Sequence, residues 1–93
     1  MAEKPTFKAL LTVLENRGWR WEQGALFGPN GSMSVAGSVT EDDWPGGING
    51  FRERIISRLE RLRSEDWGEN RSNQEKAIAD TVALVDALRQ IGL

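Results

Sequence analysis

Cysteine and histidine are both absent from the 93 residues. Without them the chain has no disulfide, no thiol nucleophile, no imidazole proton shuttle and none of the sulfur or ring-nitrogen ligands that transition metals favour. Such a small chain must be held by packing or by oligomerisation, and a reducing, cytoplasmic setting is expected. Long apolar runs are missing too. No stretch nears the roughly 18 residues of a membrane span, and the opening Met1-Ala2-Glu3-Lys4-Pro5-Thr6 lacks the basic start and apolar run of a signal peptide, so no membrane contact is expected. The net charge of −2 is too small for a bulk field to announce either a nucleic-acid binder or a mimic of one.

The same gaps weigh against catalysis. Ser32, Ser34 and Ser38 have no histidine to take a proton, and Lys4, Lys8 and Lys76 are poorly placed to replace one. Gly24, Gly28 and Gly31 are not followed by Gly-Lys-Ser/Thr, so they read as turn glycines and not as a phosphate loop. Two acidic clusters exist, Glu41-Asp42-Asp43 and Glu65-Asp66 with Glu69, and neither has the alternate spacing of a calcium loop. Paired carboxylates suffice for glycoside cleavage, yet a chain of this length leaves little room for a sugar cleft. The expectation is no enzyme activity, no metal and no cofactor.

What is present is aromatic. Four tryptophans and three phenylalanines each bury roughly 150 to 250 Å² when they go inside, and the length fits a single small domain. Phe7, Leu10, Leu11 and Leu14 recur at helical spacing, which predicts an amphipathic helix over 6–17 with Thr6 as N-cap and Gly18 as its left-handed stop. The period then changes to two. Strands are expected over 19–22, 25–28 and 32–36, joined by Gln23-Gly24 and by Gly28-Pro29-Asn30-Gly31. The second turn allows two registers: a four-residue loop pairs Leu26 with Met33, and a three-residue loop with a bulge pairs Phe27 with Met33. The first is preferred, because it gathers Trp19, Trp21, Leu26, Met33 and Val35 on one face and leaves Phe27 on the other.

An acidic loop is expected over 37–48, with Thr40 and Asp43 capping one helical turn stopped by Pro45. Asn49 then caps a helix over 49–66 whose stripe is Ile48, Phe51, Ile55, Leu59 and Leu62, with Gly68 as its terminator. Ser72-Asn73-Gln74-Glu75 reads as a capping box opening a last helix over 73–91. Its apolar residues span about half the circumference, so contact with more than one neighbour is expected. The fold class is α+β: helix, three-stranded antiparallel meander, two helices, with the helices packed on one face of the sheet.

Two surfaces carry the functional expectations. Arg54, Arg58 and Arg61 line one edge of the second helix and could hold phosphates through forked contacts, although charge on a helix surface ordinarily just solvates. Trp44, preceded by Glu41, Asp42 and Asp43, resembles a binding hot spot ringed by charge, and Phe27 joins it as an aromatic on the outer sheet face; buried anchoring is the plainer reading for Trp44. The leading expectation is a non-catalytic protein-binding module with a protein partner, of the kind seen in small inhibitors and adaptors of phages and mobile elements. Anti-defence proteins such as anti-CRISPR proteins share its size and composition, and no motif ties the chain to them. The alternative is an anion binder, for nucleic acid or a small nucleotide, using Arg54, Arg58 and Arg61. Homo-oligomerisation through the C-terminal helix is compatible with either.

Overall fold

The computed structural model describes residues 5–22, 25–30 and 46–93. Helix α1 runs Phe7–Asn16 and opens as its sequence dictates, with the Thr6 hydroxyl accepting the Ala9 N–H at 3.1 Å. It closes in a Schellman motif: Gly18 takes φ 91°, its N–H reaches the Glu15 carbonyl, and the Trp19 N–H reaches the Leu14 carbonyl. That closure turns the chain and delivers Trp19 onto the helix it has just left. Trp19 and Leu14 are both buried in the core.

Strands β1, Arg20–Glu22, and β2, Ala25–Phe27, form a two-stranded antiparallel sheet. Trp21 stands opposite Leu26 and Arg20 opposite Phe27, so the Trp21–Leu26 pair shares one face and the Arg20–Phe27 pair the other. Leu26 is buried, and Trp21 packs half-buried against the same core. The expected third strand, 32–36, and with it the choice between the two registers, lies outside the described residues, as does the capped turn at Thr40–Asp43.

Helix α2 runs Gly47–Ser64, and α3 runs Arg71–Gln90 behind a short 3₁₀ turn, Gly68–Asn70. Both start earlier than the side-chain caps imply, α2 by three residues and α3 by two. Gly46 and Gly47 adopt φ 78° and 64°, and this left-handed entry starts α2 without any side-chain cap, leaving Asn49 inside the helix. Likewise Ser72 lies within α3: the 3₁₀ turn feeds straight into the helix, Asn70 stands at the N-cap without a side-chain bond, and the Ser72 capping box does not form. At its other end α2 stops at Ser64, where Glu65 turns extended, and Gly68 belongs to the following turn and not to the helix terminus.

The core lies where α1, the hairpin, α2 and α3 meet. Phe7 of α1 meets Phe51 of α2 edge-to-face, with ring centroids 5.3 Å apart at 75°. Helix α3 packs on α2 along one side and on α1 along another, and Leu84, Ala87 and Leu88 are the buried residues it gives the shared core. Arg17, just past α1, bonds the Asp86 carboxylate at 2.9 Å and the Ala83 carbonyl at 3.4 Å, fixing the end of α1 to α3.

Candidate functional site

The arginine edge of α2 is only partly open. Arg54 and Arg61 are exposed, while Arg58 is half-buried, because helical geometry sets it beside Phe51 at the border of the apolar stripe. Its Nε is withdrawn from solvent with no hydrogen-bond partner among the described residues. Arg54 is already engaged. The edge is therefore not a row of three equivalent free cations.

Phe27 sits half-buried on the hairpin face away from Trp21 and Leu26. The Arg20 guanidinium carbon lies 5.9 Å from its ring centroid, at the outer reach of a cation–π contact. Glu41, Asp42, Asp43 and Trp44 fall outside the described residues, so Phe27 alone of the five candidate partner-binding residues is placed.

Two polar residues that the sequence reading passed over hold the elements together. Asp80 of α3 is 1% exposed, and the Asn30 side-chain amide donates to its Oδ1 at 2.9 Å. Gly28 makes room for it, since a Cβ at position 28 would overlap the Asp80 carboxylate. The signal was available: Asp80 lies among Ala77, Thr81 and Leu84 on the buried arc of α3, where a charge needs a reason. Gln74, also buried, donates through Nε2 to the Leu62 carbonyl at 2.7 Å and to the Glu65 carbonyl, capping the C-terminus of α2 from the neighbouring helix.

Near that corner an open cleft of about 540 Å³ is lined by Arg63 and Arg71, by Glu65, Asp66 and Glu75, and by Ile78. Two arginines and three carboxylates line it, so a charged ligand of either sign meets like charge there. Among the described residues no three His, Cys, Asp or Glu side chains are grouped to hold a metal ion. No described helix is long and apolar enough to cross a membrane.

Outside the main core, Ile56 and Leu59 of α2 and Ile78 of α3 are half-buried, and Val82 of α3 is 40% exposed. Comparison with protein families, curated proteins and solved structures returned no match.

Proposed function

We propose that the chain is a non-catalytic protein-binding module, a small inhibitor or adaptor of the kind phages and mobile elements carry, acting in the cytoplasm. The observation that carries this reading is Phe27. It is an aromatic placed on the outer side of a hairpin whose other side supplies the core, and its exposed companion Arg20 gives it the mixed apolar and charged character of an interface anchor. Glu41, Asp42, Asp43 and Trp44 complete the proposed partner-binding set on the strength of the sequence. The test is capture from a bacterial lysate with the full chain as bait, repeated with Phe27→Ala and Trp44→Ala. A stoichiometric protein retained by the parent and lost by both variants supports the reading; no stoichiometric protein, or one retained by both, ends it.

A second reading rests on Arg58. An Nε held from water without a partner among the described residues is an arrangement that a bound anion would complete, and Arg54 and Arg61 flank it. Binding to DNA, RNA or a nucleotide should then fall steeply with salt and be lost in Arg58→Glu. Absence of binding at low salt removes this reading.

A further inference from the structure

Helix α3 carries a stripe on its solvent side that is complementary to itself. Ile78, Val82 and Val85 follow one another at spacings of four and three residues, which places them on one line along the helix. Val82 is exposed and the other two are half-buried, Val85 with part of its side chain packed against the core. Glu75 and Arg89, both exposed, continue the line at its two ends, each seven residues from Val82. Asp80, which faces the hairpin, is two residues from Val82 and so roughly 200° around the helix from it. Val82, at the middle of the stripe, thus looks away from the hairpin, while Val85 borders the core.

We propose that this stripe is a self-docking surface: a second copy of the chain packs its own α3 against it, antiparallel, with Val82 at the two-fold axis. In that arrangement Glu75 of each copy meets Arg89 of the other, and Ile78 meets Val85. A parallel pairing instead sets Glu75 against Glu75 and Arg89 against Arg89, so the charges select direction as well as partner. The contact also gives Val82 a cover that its own fold withholds. One helix stripe with only Val82 fully open is a small contact, at the low end for a specific interface, so the dimer is expected to be weak and concentration-dependent. This contact is independent of the proposed partner surface around Phe27, on the opposite side of α3.

The test is sedimentation equilibrium of the full chain from about 1 µM to 1 mM, compared with Glu75→Arg, Arg89→Glu and the double exchange. Each single change sets like charges opposite one another and is expected to raise the dimer Kd about tenfold, while the double exchange restores it. Residues 75 and 89 are about 21 Å apart along one helix, so restoration can arise only between copies. The double exchange also opposes the helix dipole at both ends, so a better-folded monomer cannot mimic the rescue. Val82→Glu, which sets two carboxylates on the axis, is expected to leave a monomer with unchanged helical circular dichroism. A parent chain that stays monomeric to 1 mM, or single changes without effect, or a double exchange no better than the singles, overturns the proposal.

Discussion

Gly28 and Gly18 show two different reasons for a glycine. At Gly18 the backbone requires it: φ is 91°, while an added Cβ would meet only Pro29 at an ordinary 3.7 Å. Gly18→Ala is therefore expected to cost about 1 to 2 kcal/mol through conformation alone. At Gly28 the neighbour requires it, because the added methyl would occupy the place of the Asp80 carboxylate, which Asn30 holds from its other oxygen. Gly28→Ala is expected to cost about 1 to 3 kcal/mol, lowering the melting temperature by roughly 4 to 8 °C per kcal/mol in a domain of this size. A thermal-melt double-mutant cycle separates the two cases. Gly28→Ala combined with Asp80→Ala should be less destabilising than the sum of the singles by about 1 kcal/mol, whereas Gly18→Ala with Asp80→Ala should be close to additive.

At the scale of elements, two devices close the C-termini of the three helices. Helices α1 and α3 end alike: Gly92 repeats the Gly18 geometry at φ 101°, with the Leu93 N–H on the Leu88 carbonyl and the Gly92 N–H on that of Arg89. The end of α2 has no such motif and relies on the Gln74 amide. Gln74→Leu keeps the volume and removes both donors, leaving α2 carbonyls unpaired at a buried position. The expected loss is about 1 to 3 kcal/mol in a urea titration, and Gln74→Glu, which brings a carboxylate against those carbonyls, should lose at least as much. These devices also mark what sequence reading could reach. Thr6, Gly18 and the 3.6-residue period of α1 are local, and they specify that helix within a residue at each end. Asn49 and Ser72 carried equally good local chemistry and were bypassed, because the Gly46-Gly47 pair and the 3₁₀ turn start the helices upstream of them. Gln74 and Asp80 act across 12 and 50 residues of chain respectively, a relation no local pattern encodes. The arginine edge was legible as an alignment of Arg54, Arg58 and Arg61 and illegible as an environment, since the burial of Arg58 depends on what α2 packs against.

The described residues form a rod of 46 × 23 × 23 Å with α3 touching both α1 and α2. A domain of this length has a stability of roughly 5 to 14 kcal/mol, so damage to the shared helix should be felt everywhere at once. Leu84 is fully buried in α3 and belongs to the main core. Leu84→Ala is expected to cost about 3 to 5 kcal/mol and to melt all helices in one transition, whereas Leu59→Ala, half-buried and outside that core, should cost much less; circular dichroism during urea unfolding checks both. The contact between Gly28 and Asp80 also constrains how the two positions can change. The two positions form a size pair with one shared volume, so descent should change them together. A homologue with a side chain at position 28 is expected to carry glycine, alanine or serine at position 80, and one that keeps aspartate at 80 is expected to keep glycine at 28. The hairpin and α3 would thus carry a joint record of one shared volume.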